Sequence, residues 1–232
     1  MTVEGDVAQF VRPFVLLSAD VRECHGIEVA FQNGCLGEKR FEILVLHSVL
    51  AIHLLHEHDP KKAIAWVKSF PVRHDDERAL SENYLRYVNS LKEVKIPKID
   101  AATSAQIAAF AEEMLNSPDN IARRLLASGV LHDFIQHQNT TKRKVNAEIY
   151  YWAGVCDRPL QSSFVFSLVQ DYFETCIQAE PKSVQAKKCF EGLEEEVLNS
   201  YSGSDGTSLP ADEADKLNKW RHQAGLKPKK YK

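Results

Sequence analysis

The chain has 232 residues, with 29 Lys or Arg against 32 Asp or Glu and a formal net charge of −3 when its nine His are neutral. Hydrophobic residues make up 44% and charged residues 26%, which excludes disordered, collagen-like and membrane-spanning compositions and leaves an ordinary globular chain of one domain or two small ones. Cys24, Cys35, Cys156, Cys176 and Cys189 are odd in number and contain no CxxC pair, so a secreted, disulfide-stapled domain is not expected. Met1 to Asp6 carry two acids before any base, unlike a secretory leader, and the expected location is intracellular and cytoplasmic.

In chain order, helical patterning is expected near residues 5–19, 41–58, 60–69, 76–93, 103–116, 118–137, 140–154, 160–179, 182–200 and 210–224. Between the first two, Ile27 to Phe31 has the look of one short strand or a helix end. Phe41 to Leu55 is the most apolar stretch, 11 of 15 residues, but His47 and His53 interrupt it. It is also shorter than the ~20 residues that cross a bilayer, and is expected as a buried central helix. Asp59-Pro60 and Ser117-Pro118 each place proline just after a capping residue, where its missing N–H is no loss, so each marks a helix start. Thr103-x-x-Gln106 has the form of a capping box. After Pro118, the residues Ile121, Leu125, Leu126, Val130 and Phe134 form a core-facing stripe; Phe164, Phe166, Leu168, Tyr172 and Cys176 do the same after Leu160. The sum is an all-α fold, a compact multi-helix globular domain of about nine or ten helices.

Composition changes near residue 191. Glu191 to Asp215 contains eight acids and no Lys or Arg, while Lys216 to Lys232 contains seven bases and no acid. Residues 1–215 alone hold 22 bases and 32 acids, so the near-neutral total is an acidic body plus a basic end. Ser202 to Ser208 is a Gly/Ser-rich link without the apolar content to pack. The expected division is a helical domain over 1–200 and a link with a short charged C-terminal appendage, a basic arm, over 201–232.

Three constellations carry chemistry. In the first, His53 lies one helical turn from His56 and Glu57, beside His58 and Asp59, which supplies two metal ligands where a zinc site needs three or four. No metal and no cofactor is assigned. Nor is there a Gly-rich phosphate loop, a Walker-type lysine or a Gly-x-Ser-x-Gly elbow.

The second is the order His47, His74-Asp75, Asp133, which is similar to that of the metal-dependent phosphohydrolases of the HD family, all-α enzymes of comparable size. The resemblance implies a divalent ion held by these four residues that activates water. The pair His74-Asp75 departs from the family in lying within Pro71 to Glu77, a loop and helix cap rather than the end of an apolar stretch. Val130-Leu131-His132-Asp133 has the apolar lead-in, but no His lies between residues 75 and 131. This enzyme is the alternative reading.

The third is electrostatic, and it carries the main expectation. Thr140 to Lys144 is expected to open a helix that continues to Tyr150-Tyr151-Trp152, with Lys142 and Asn146 on the face of Tyr150. Three cations at a helix N-terminus oppose its dipole, which points to an anionic partner. The tail joins Lys219, Trp220, Arg221, Lys227, Lys229 and Lys230 with Tyr231, either docked by Trp220 and Leu217 on its own body or reaching outward. The neighbouring acidic run could also bind the tail in cis and mask it.

The chain is therefore expected to be a non-enzymatic interaction protein, a scaffold or adaptor in a larger assembly, whose basic arm engages a protein or RNA. In the nucleoprotein-like RNA-binding variant, Arg123 and Arg124 with Lys142, Arg143 and Lys144 line a groove, and Trp220 with the tail lysines reaches the nucleic acid or a neighbouring copy. No membrane partner is expected, and a homo-oligomer is an open alternative.

Overall fold

A computed structural model describes residues 49–69, 75–116, 120–160, 168–203 and 206–231. The chain is all-α. Among the described residues the only strands are two residues long, β1 (Ser202–Gly203) paired antiparallel with β2 (Gly206–Thr207). The expected helix 5–19, the segment 27–31, and residues 41–48 of the apolar helix lie outside the described residues. No helix among the described residues is long and apolar enough to cross a membrane.

The chain falls into two units. The first takes residues 1–95, 117–129 and 160–165; the second takes 96–116, 130–159 and 166–232. In the first, a π-helical turn (Ile52–His56) buries His53 and Leu54. It is followed by α1 (Pro60–Ser69), whose start is fixed as the sequence predicts: the Asp59 side chain accepts from the backbone N–H groups of Lys61 and Lys62 at 3.0 and 3.1 Å, with Pro60 at the first helical position. The next helix, α2 (Asp75–Asn89), packs against α1.

The second unit contains α3 (Ser104–Leu115), opened by the expected capping box: Thr103 Oγ1 accepts from Gln106 N–H, and Gln106 Oε1 accepts from Thr103 N–H. The long helix α4 (Ile121–Thr140) starts in the first unit and ends in the second, with Leu125, Leu126, Val130 and Phe134 buried. Next come α5 (Ala147–Asp157), a 3₁₀ turn (Arg158–Leu160), α6 (Val169–Ala179), α7 (Val184–Ser200) and α8 (Ala211–Gln223). In this unit α5, α6 and α7 pack on one another, α3 lies on α5, and α8 lies on α6 and α7.

At the centre of the second unit Phe173 of α6 lies between two glycines. A Cβ on Gly154 of α5 would come within 2.7 Å of the ring, and one on Gly192 of α7 within 2.6 Å. Helices α6 and α7 are also joined by a buried disulfide, Cys176–Cys189, a pairing that the cysteine count did not announce. The intracellular expectation rested partly on that count and loses this support, because disulfides persist mainly in oxidising compartments.

One further expectation is corrected. Thr140 closes α4 instead of opening the next helix, and α5 begins only at Ala147. Of the two readings of the charged C-terminal segment, docked on the body or reaching outward, the docked one describes α8: Leu217 and Ala224 join the same buried cluster as Phe173 and Phe190. Leu217 and Trp220 supply the apolar side chains that seat α8 on the bundle.

Candidate functional site

The turn between α4 and α5 carries three cations, and its geometry reverses their expected electrostatic role. Lys142 adopts a left-handed conformation (φ 54°). Its N–H bonds to the Asn139 carbonyl at 3.2 Å, and the Arg143 N–H reaches back to Gln138 at 2.9 Å. Those two bonds are a Schellman closure of α4. Lys142, Arg143 and Lys144 are therefore exposed at a helix C-terminus, where the dipole favours positive charge. The dipole penalty argued from the sequence falls away, and with it that one argument for an anionic partner.

Lys142 also precedes α5 and so shares no helical face with Tyr150. The aromatic run is half-buried: Tyr150 stacks on Tyr172 with centroids 6.4 Å apart, and Tyr151 meets Trp152 edge-on at 5.1 Å. Burial pushes the Tyr150 and Tyr151 hydroxyls up, with the Glu191 carboxylate adding to the shift at Tyr151.

Short contacts bring two other basic turns to the same end of the second unit. The Ala147 N–H at the start of α5 bonds to Glu180 Oε1 at 3.4 Å, just past the end of α6. Lys182, again left-handed (φ 62°), donates its N–H to the last carbonyl of α8, that of Gln223, at 3.0 Å. Ser183 then caps α7, its hydroxyl accepting from Ala186 N–H at 2.9 Å. The end of α8 closes through Gly225 (φ 78°), with Leu226 N–H on Arg221 O and Gly225 N–H on His222 O.

The end of the bundle thus holds Lys142, Arg143, Lys144, Lys182, Lys187, Lys188 and Lys227, all exposed. A shallow cleft of about 330 Å³ among them is lined by Asn146, Ser183, Val184 and Gln185, and also by Glu148 and Glu180. Those carboxylates make the cleft itself a poor anion seat, so the positive potential belongs to the surrounding lysines.

The tail folds back along α8. Asn218 pairs with the Lys229 backbone in both directions, at 3.1 and 2.9 Å, and Arg221 Nε donates to the Lys227 carbonyl. Glu194 Oε1 of α7 gathers three donors: Arg221 at 3.2 Å, Lys229 at 3.2 Å and Tyr231 Oη at 2.6 Å. Burial and the Glu194 carboxylate push the Tyr231 hydroxyl up. Arg221 also covers the Phe190 ring at 5.3 Å. Trp220 and Arg221 are half-buried, whereas Lys219, Lys227, Lys229 and Lys230 are exposed.

Arg123 and Arg124 are on the first turn of α4 and belong to the first unit, whereas Lys142 to Lys144 follow the last turn of α4 and belong to the second. Arg123 is engaged locally: its side chain donates to Ser90 Oγ and O at 3.3 and 3.4 Å, and its N–H is capped by Asn120.

The metal-type constellations are only partly described. His47 and His74 lie outside the described residues, and Asp133 is exposed. His53 Nδ1 pairs with Glu57 at 2.9 Å, and Lys62 reaches the same carboxylate, so hydrogen bonds from His53 and then Lys62 hold the Glu57 carboxyl below its ordinary value. Among the described residues no group of three or more His, Cys, Asp or Glu is arranged to hold a metal ion.

One cluster escaped the sequence reading. His132 of α4, Asp157 of α5 and Tyr172 of α6 meet around His132 Nε2, which lies 2.9 Å from the carboxylate and 3.1 Å from the phenol. A carboxylate can only accept there, so the proton sits on Nε2. Burial, then Asp157, pushes the Tyr172 hydroxyl up. The triad ties three helices together.

Comparison with family models, with curated proteins and with solved structures finds no match to this chain.

Proposed function

We propose that this protein acts by binding, as a helical scaffold or adaptor whose basic segments engage an anionic partner. The observation that carries this reading is the exposed turn Lys142-Arg143-Lys144, brought by the Ala147–Glu180 contact to the same end of the bundle as the turn that follows α8. No carboxylate is paired with these three cations in a salt bridge among the described residues, so their charge is available to a partner. Lys219, Lys227 and Lys230 extend the positive surface along α8 and the tail, while Arg221, Lys229 and Tyr231 are engaged with Glu194.

The test is binding of the full chain to fluorescent polyanions, single-stranded RNA and polyglutamate, across a salt series. Wild type is expected to bind at least one of them with salt-dependent affinity, and the variant Lys142→Glu/Arg143→Glu/Lys144→Glu to lose at least tenfold. Absence of binding to any polyanion at low salt rejects the reading.

A further inference from the structure

We infer that the lysine-bearing end of the second unit is a nucleic-acid backbone site, and that Lys182, Lys187 and Lys188, which no local sequence cluster marks, belong to it. The inference rests on the proposed anion-binding role and gives it a partner class.

Three pieces of chain separated by more than thirty residues each are joined at this end by named hydrogen bonds: Ala147 N–H to Glu180 and Lys182 N–H to Gln223 O. Segments 142–148, 180–188 and 222–228 together carry seven bases and two acids, in a chain whose total is −3. All seven bases are exposed. The concentration is local, so it is not a by-product of overall composition.

The chemistry of these groups favours a phosphodiester chain over an acidic protein. Six of the seven are lysines, flexible and hydrated point charges that pair with phosphates without fixed geometry. A protein partner would need a desolvated centre of aromatic or arginine anchors. The principal apolar side chain on offer is Val184, 73% exposed, while Tyr151 beneath Lys188 is half-buried and already covered by that ammonium at 5.8 Å. A scattered set of flexible cations on three adjacent turns suits a polymer that offers a phosphate every few ångströms, so that each lysine finds one without a fixed register. Nothing on this surface is shaped to read base edges, so binding is expected to be independent of sequence.

The experiment is fluorescence anisotropy of the full chain with 30-nucleotide single-stranded RNA, the matching single-stranded DNA, the duplex and polyglutamate, each across a salt series. Each phosphate neutralised contributes about 0.7–0.9 to the slope of log K against log salt. The variant Lys182→Gln/Lys187→Gln/Lys188→Gln should bind RNA at least tenfold more weakly and lower the slope by about 2. The charge-matched control Lys61→Gln/Lys68→Gln/Lys92→Gln, in the first unit, should leave both unchanged.

Equal losses in the two variants would reduce the effect to net charge and overturn the inference. So would an unchanged slope at 182, 187 and 188 while the 142–144 variant loses binding, although the proposed function then stands. Binding of polyglutamate but of no nucleic acid overturns the partner class and leaves the anion-binding role intact.

Discussion

Tyr231 donates its phenol proton to Glu194, 37 residues earlier in the chain, across 2.6 Å. With Arg221 and Lys229 on the same carboxylate oxygen, this contact straps the last described residues to α7. Charge-assisted bonds to a mostly buried carboxylate contribute about 1.5–3 kcal/mol. Glu194→Gln should therefore lower Tm by several degrees, at about 2–4 °C per kcal/mol for a chain of this size. Trypsin should cut after Lys229 and Lys230 several-fold faster in the variant, with helix content unchanged. Identical cleavage rates would show that the carboxylate does not hold the strap.

Phe173 should tolerate no Cβ on either flank. Gly154→Ala and Gly192→Ala each force a methyl carbon to within 2.7 Å of its ring, and overpacking of this kind costs about 1–3 kcal/mol. Adding Phe173→Leu to either variant should restore part of the lost Tm, since the smaller side chain makes room. If the double variants are simply the sum of the singles, the ring is not the obstacle.

Reduction should weaken the second unit. The Cys176–Cys189 link closes a separation of 13 residues, and a loop of about that size is worth roughly 3 kcal/mol in the chain-entropy account. Alkylation without reductant, after unfolding, should label neither cysteine. Cys176→Ser should lower Tm by roughly 6–12 °C. Labelling of both residues before reduction would exclude the bond.

The pH dependence of stability has a definite sign at Glu174. Burial, then the neighbouring Asp171 carboxylate, pushes the Glu174 carboxyl up. The folded state then holds this proton more tightly than the unfolded state, so its contribution turns unfavourable as pH rises from the unfolded value of about 4.3 through the raised folded one. Glu174→Gln, which keeps an acceptor for the Trp220 indole, should raise Tm by a few degrees at pH 7 and leave it unchanged near pH 3.5. A variant less stable than wild type at pH 7 would mean that the charge is needed.

Local signals in the sequence were reliable wherever one residue dictates its neighbours' backbone. Asp59-Pro60 gave the start of α1, and Thr103 with Gln106 gave the cap of α3. The boundary between α4 and α5 was missed because a lysine, rather than glycine or asparagine, takes the left-handed position at residue 142. The tail's charge was visible, but its seat on Glu194 depends on a separation of 35–37 residues that periodicity does not report. His132, Asp157 and Tyr172 come from three helices, and Cys176 and Cys189 from two. Lys182, Lys187 and Lys188 are diluted along the chain by Glu180, Glu191 and apolar neighbours, so only the folding of the turns reveals them as part of one surface.

The Phe173 ring also sets a rule for variation. Because its two faces rest on glycines from different helices, positions 154, 173 and 192 behave as one heritable unit. An aromatic residue at 173 obliges small residues at both other positions, and a branched aliphatic there would release both at once. In any set of natural variants, these three positions are expected to change together or not at all.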